Sequence, residues 1–167
     1  MIKEATIEDI PRIAEIHVCG WRYAYRGIIS DHELFTHRLV SRSIHKFEQR
    51  FQEHQHITVY VDERDHILKG FAWHGKSRDD DLNNVYEIYA IYVQPEFMRQ
   101  QIGTSLMQAV EEQAHQEQYH GVHVWVFEKN HRAHMFYRKN HYHKDGQRKF
   151  IDAWNEDEIR MIKYFTH

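Results

Sequence analysis

Between Tyr86 and Met107 the sequence sets an apolar strand, a tight turn and an amphipathic helix in succession. A helix that starts directly after a strand presents N–H groups without intrahelical partners, and its dipole adds partial positive charge at that end. Gln100 to Ser105 would supply those N–H groups, Gly103 would let backbone approach a ligand closely, and Arg99 would add a full charge. Such an end binds anions, phosphate groups above all. Ordinary turns in α/β folds look alike, so on these residues alone that plainer reading stays open.

Glu87 is the other reactive feature, as the one charged side chain in the apolar run Val85 to Val93. Partial burial would raise its pKa toward the range of a general base. A solvated place at the strand start, or pairing with a nearby Arg or Lys, is equally open. Asp79, Asp80 and Asp81, beside Arg78, would draw a cationic amine or form a solvated loop. Of 16 histidines, His54/His56 and His141/His143 have the spacing of one strand face, and His131/His134 that of one helix face. No carboxylate or cysteine closes any of these pairs into the three or four ligands a metal needs, so no metal is expected and the imidazoles are read as surface groups. A histidine-based metal-binding protein is the third-ranked reading. With a formal net charge of −3, titrating imidazoles carry the chain through zero charge within about a unit below neutrality.

The elements that must position these residues follow from hydrophobic period. Ile2 to Ala5 is a short edge strand. Thr6 or Asp9 caps a helix that tolerates Pro11 in its first turn and turns Ile10, Ile13, Ile16 or His17, and Trp21 inward. Asp31 to Thr36 forms a helical turn, and Ser41 caps a second helix presenting Ile44, Phe47 and Phe51. The period then changes to two, giving a hairpin of Ile57 to Val61 and Ile67 to His74, interrupted at Gly70. Val85 to Val93 reads as a central strand covered on both faces. Ile102 to about Tyr119 is a helix closed by Gly121 in a left-handed conformation, and Val122 to Phe127 is a strand. Asn130 caps a shorter helix with Ala133, Phe136 and Tyr137 inward; His141 to Asp145 and Ile159 to Phe165 are the last strands. The order predicts a mixed α/β sheet with helices on both faces.

A length of 167 residues without linkers or repeats argues for a single domain over 1–167. The longest apolar stretch, Ile88 to Val93, is far too short to span a bilayer, so no membrane partner is expected. Basic residues are too scattered among acids for nucleic acid. The N-terminus lacks a signal-peptide pattern, and the lone Cys19 has no intramolecular partner; both favour a cytoplasmic setting.

Three blocks stand in order along the chain. Ile2-Lys3-Glu4-Ala5-Thr6, Asp9-Ile10, His17, Trp21-Arg22 and Ala24-Tyr25-Arg26-Gly27 make the first. Glu87-Ile88-Tyr89-Ala90-Ile91-Tyr92-Val93-Gln94-Pro95-Glu96-Phe97 and Ile102-Gly103-Thr104-Ser105-Leu106-Met107 make the second. The third is Trp125-Val126-Phe127-Glu128-Lys129-Asn130 with Arg132-Ala133 and Phe136-Tyr137. In these blocks, over nearly its whole length, the chain resembles the GNAT superfamily of acyl-CoA-dependent N-acyltransferases.

The resemblance implies a central, mostly antiparallel sheet, acetyl-CoA as co-substrate and an amine acceptor. Met98, Arg99, Gln100, Gln101, Ile102, Gly103 and Thr104 would hold the pyrophosphate, and the backbone of Ile91, Tyr92 and Val93 would pair with the pantetheine arm. Asn130 would approach the cofactor, with Ala133 and Phe136 on the same helix, and Tyr137 would protonate the departing thiolate. Glu87 is the candidate base. Trp21, Tyr23, Tyr25 and Phe35 would line the acceptor pocket or belong to the core. The family's turn runs Gln or Arg, two residues, Gly, one residue, then Gly or Ala. Met98 and Gln101 depart from it, which retunes binding and makes the Gln101 side chain an obstacle. His141 stands where a glycine is usual, with Asn140 able to take the left-handed conformation instead. A homodimer is left open, and a non-catalytic acyl-CoA-binding module is the second reading.

Overall fold

The computed structural model describes residues 1–53 and 55–166. The described residues form seven strands: β1 (Ile2–Glu4), β2 (His56–Val61), β3 (Leu68–Lys76), β4 (Tyr86–Val93), β5 (Gly121–Phe127), β6 (His143–Ile151) and β7 (Glu156–Tyr164). β6 is mostly polar and exposed, and the others carry buried or half-buried apolar residues. Four helices are α1 (Ile10–Tyr25), α2 (Val40–Gln52), α3 (Ile102–Gln116) and α4 (His131–Lys139). The sheet order is β1-β2-β3-β4-β5-β7-β6, mostly antiparallel, with the β4–β5 pair parallel. The predicted mixed α/β class is the one observed. The residues divide into two compact units, Met1–His74 with Ala90–Val110, and Gly75–Tyr89 with Glu111–His167.

In the first unit, β1, β2 and β3 form an antiparallel meander with Ile2 opposite Tyr60 and Ile57 opposite Trp73. A 3-10 turn (Ile7–Asp9) with a capping box, Asp9 accepting from the Thr6 N–H and side chain, leads into α1, where Asp9 is the cap position without a side-chain bond and Pro11 sits where no N–H is needed. Ile10, Ile13, Ile16, Phe47, Phe71 and Leu34 are its buried centre. Gly70 is fixed by close approach: a Cβ there would stand 3.0 Å from the Tyr92 carbonyl and 3.1 Å from Ile102 and Leu106. α2 starts at Val40, so Ser41 is inside the helix and the cap position is Leu39, without a side-chain bond. Its fully buried side chains are Ser43 and Phe47, while Ile44 and Phe51 are half covered.

In the second unit, the β4–β5 ladder pairs Tyr86, Glu87 and Ile88 with Val122, His123 and Val124; all of β5 runs antiparallel to Glu158–Tyr164 of β7. α3 does not close on Gly121. Gln118, at φ 64°, takes the left-handed position of a Schellman turn, with Tyr119 N–H on Ala114 O at 2.9 Å and Gln118 N–H on His115 O at 3.0 Å. Gly121 instead opens β5, where a Cβ would meet the Lys163 carbonyl at 2.5 Å. α4 buries His134 and Tyr137, and leaves Ala133 and Phe136 half exposed rather than inward.

Candidate active site

The first unit holds the turn. From Val93 the chain passes through a short 3-10 turn (Pro95–Phe97), with Gln94 N–H on Lys69 O at 2.9 Å. Met98 is extended and half-buried, then Arg99 and Gln101 take φ of 63° and 64°. Left-handed backbone costs a non-glycine residue roughly 1 kcal/mol. Gln101 thus adopts the conformation for which glycine is the default, and its own side chain is exposed. Its carbonyl accepts from both the N–H and the hydroxyl of Ser105, at 2.9 and 3.2 Å, which starts α3. The Ile102, Gly103 and Thr104 N–H groups, in the first turn, have no intrahelical acceptor. Ile102 is buried, Gly103 and Thr104 are half-exposed, and Arg99 and Gln100 are exposed.

Ile91, Tyr92 and Val93 occupy the half-covered end of β4; Tyr86 to Ile88 are buried, Tyr89 to Val93 are not. The Tyr92 hydroxyl lies 3.1 Å from that of Tyr25, and the α1 backbone passes Tyr92 so closely that a Cβ on Gly20 would overlap its ring. His17 is packed edge-on against Trp21, Phe47, Phe71 and Tyr92, with Nδ1 2.9 Å from Ser43 Oγ. Burial, with Lys46, Arg38 and Arg50 adding to it, drives its pKa down to about 3. Of the acceptor-pocket candidates, Trp21 and Tyr25 are half-buried and in edge contact, whereas Tyr23 and Phe35 are exposed. The Arg38 guanidinium covers Trp21 at 3.5 Å, and Arg22 covers Phe35 at 4.8 Å.

The second unit holds Glu87, almost fully buried and paired with an arginine. Arg78 gives it three donors: its backbone N–H at 2.9 Å, Nε at 3.1 Å and Nη2 at 2.5 Å. The paired reading of Glu87 is the one the geometry supports, and the solvated one is overturned. Sequence inspection missed its neighbour. His123, directly opposite in the ladder, has no exposed surface, with Nε2 2.8 Å from Ser77 Oγ and 3.8 Å from Glu87. Its pKa is lowered chiefly by burial, against the pull of Glu87 and Asp79. The signal was present: His123 interrupts an apolar strand just as Glu87 does.

The Asp79–Asp81 cluster is not a free acidic surface. Buried Arg160 takes Asp79 at 2.9 Å, Asp81 at 2.7 Å and Asp145 at 2.6 Å, and Trp125 Nε1 donates to Asp79 at 2.9 Å.

Asn130 caps α4 as expected, its Oδ1 accepting from the Ala133 N–H at 3.2 Å. Tyr137 is buried between the rings of Phe136 and Tyr142. His134 Nε2 lies 3.2 and 3.1 Å from the carbonyls of Phe127 and Glu128, so that nitrogen carries the proton and cannot ligate a metal. Asn140 keeps φ at −96°, and His141 itself is left-handed at 71°; it precedes β6 and shares no strand face with His143. His54 lies outside the described residues, and His56 stacks on His74 instead.

Residues 12–142 match the acetyltransferase (GNAT) family. An uncharacterized N-acetyltransferase of Bacillus subtilis, YuaI, is 34% identical over 131 residues, 77% of this chain and 72% of that protein. The PaiA N-acetyltransferase of Thermoplasma acidophilum, solved in complex with coenzyme A, superposes with a TM-score of 0.78 at 21% identity, covering 99% and 98% of the two chains. The yncA structure from Salmonella typhimurium, which holds acetyl-CoA, gives 0.70 at 18% identity over 98% of this chain and 92% of that one. At these identities the solved structures establish the shared fold.

Proposed function

The chain belongs to the acetyltransferase (GNAT) family, and we propose that it transfers an acetyl group from acetyl-CoA to the amine of a small molecule or peptide, by direct attack in a ternary complex. The observation that carries this reading is β4, a strand interior to the sheet whose last five residues are only half covered and lead within a few residues to a strained turn and a helix N-terminus.

These residues fit the donor. The N–H groups from Arg99 to Thr104, with the Arg99 guanidinium, match a pyrophosphate in charge and in hydrogen-bond type. The Met98 N–H is taken by the Pro95 carbonyl at 3.3 Å, so Met98 offers the anion no donor. Among the described residues the β4–β5 ladder closes at Ile88 opposite Val124, so the backbone of Ile91, Tyr92 and Val93 can take the pantetheine amides as an added strand. One N–H there would polarise the thioester carbonyl. Because the Asn130 carbonyl serves the cap, its amide N–H2 is the group left for the cofactor, with Ala133 and Phe136 on the helix it caps as the other candidates.

In the transfer the amine nitrogen bonds to the thioester carbon, the carbon–sulfur bond breaks, and the Tyr137 hydroxyl gives its proton to the leaving sulfur. A phenol with an ordinary pKa near ~10 does this only when held against the thiolate. The amine must also lose a proton. Glu87 takes that proton if the Arg78 fork opens; with the fork closed it anchors Arg78 and the start of β4, and the proton leaves through a water chain.

Tyr137→Phe should lower kcat by about a hundredfold while leaving the KM for acetyl-CoA unchanged. Absence of thiol release from acetyl-CoA by the wild-type chain, over a panel of amines, polyamines, amino acids and aminoglycosides, would overturn the reading. Gln101 in a glycine position favours a second reading, a binding module that takes up acetyl-CoA without turnover; a thermal shift with acetyl-CoA but no thiol release would establish it. The proposal includes a cytoplasmic setting, a monomer or homodimer, and no nucleic acid, membrane or metal in the transfer itself.

A further inference from the structure

Beyond Gly27 the first unit carries a group of side chains that acetyl transfer does not use. Glu33–His37 winds as a π-helix directly after His32. Around an α-helix, residues five apart point about 140° away from each other and cannot serve one ligand. The wider winding brings His32 and His37 onto one side, their ring centroids 5.6 Å apart, with Glu33 Oε1 3.8 Å from His37 Nε2. One ligand atom from each of the three lies within 4.8 Å of the other two. Both imidazoles are exposed and Glu33 is half-exposed, so an ion would reach them without any opening of the fold.

We propose that His32, Glu33 and His37 bind a divalent transition-metal ion, zinc by the chemistry of the donors. Two imidazole nitrogens and one carboxylate oxygen are a borderline set that suits Zn²⁺, with a fourth position left to water; magnesium and calcium want oxygen donors throughout. Short π-helical stretches recur at functional sites, which agrees with a winding kept for its ligand geometry. Of the neighbouring charges, Asp31 is held by Arg26 at 3.1 Å, and the Arg38 guanidinium lies over the Trp21 ring at 3.5 Å. Phe35 lies inside the ligand loop, under Arg22 and Arg26. Bound metal therefore pins the segment that presents Phe35 to solvent.

The test uses the full chain without an affinity tag, stripped by a chelator and titrated calorimetrically with zinc chloride at about pH 7.5, where imidazole is neutral. One saturable equivalent is expected, weakened at least about tenfold by His37→Ala and by His32→Ala. His143→Ala, an exposed imidazole of β6, leaves it unchanged, and magnesium gives no saturable heat. Zinc should raise the unfolding temperature of the wild type and not that of the double His32→Ala, His37→Ala variant. Glu33→Gln, which keeps the shape of the segment, should weaken zinc as well. A zinc equivalent that survives the double substitution, or no saturable equivalent in the wild type, overturns the site.

Discussion

The turn from Met98 to Thr104 and the cluster around Glu87 and Arg160 are built on opposite principles. The turn is exposed at Arg99, Gln100 and Gln101, holds two non-glycine residues in left-handed backbone, and leaves first-turn N–H groups without intrahelical acceptors. The cluster matches its two buried charges within the protein: Glu87 has three donors from Arg78, and Arg160 meets three carboxylates. Burying a polar group is costly unless it is hydrogen-bonded, so interior charge is matched inside the protein, whereas a binding surface keeps its donors for the ligand. From sequence Glu87 is equally open as a general base, a solvated residue or the partner of a nearby Arg or Lys. The structure makes it the partner of Arg78.

Acid should separate the interior from the surface most strongly. Burial lowers the His17 and His74 pKa values to about 3, from an unfolded value of 6.5. Between those values the unfolded chain takes up protons that the folded chain refuses, so stability is full above pH 6.5 and falls as pH drops toward 3. Denaturant unfolding at pH 7 and at pH 5 should differ by roughly 4 kcal/mol, about 2 kcal/mol for each imidazole. Equal stability at the two pH values would mean that these rings ionise inside the fold, and the contrast would fail on its buried side.

Arg78→Ala comes next. It strips Glu87 of its guanidinium partner and leaves a buried carboxylate, which should lower stability by roughly 3 kcal/mol and the melting temperature by roughly 6 to 12 °C. In a Glu87→Gln background the same substitution should do much less, since no charge is left uncompensated. A loss below about 1 kcal/mol, together with a moved pH profile of turnover, would make Glu87 a free base and Arg78 a bystander.

Strand period, the α1 cap and the strand–turn–helix of the second block were legible because each depends on neighbouring residues. The GNAT resemblance rested on the same stretches. What was not legible depends on tertiary pairing. Arg78 meets Glu87 only because β3 returns beside β4, and His123 faces Glu87 only through a parallel register. The inward face of α4 shifted to His134 because its ring reaches two carbonyls at the end of β5. His32 and His37 escaped notice because their spacing has meaning only on a π-helix.

The smallest effect gives the sharpest control. Gln101 and Gln118 lie just before and just after α3, both exposed and both at φ 64°. Glycine at either position removes the left-handed strain, and after the added freedom of the unfolded chain each substitution should stabilise by about 1 kcal/mol or less, a rise of roughly 2 to 4 °C. Their effects on acetyl-CoA should differ. Gln118 belongs to a Schellman turn whose bonds are closed within the protein. Gln101 stands where an anion would bind, and its resistance to left-handed backbone lowers the share of chains whose N–H groups are ready for a pyrophosphate. Gln101→Gly should therefore tighten acetyl-CoA by up to roughly fivefold, the equivalent of about 1 kcal/mol, whereas Gln118→Gly should leave affinity where it was. Equal changes in affinity from both would mean that the strain before α3 has no more to do with the cofactor than the strain after it.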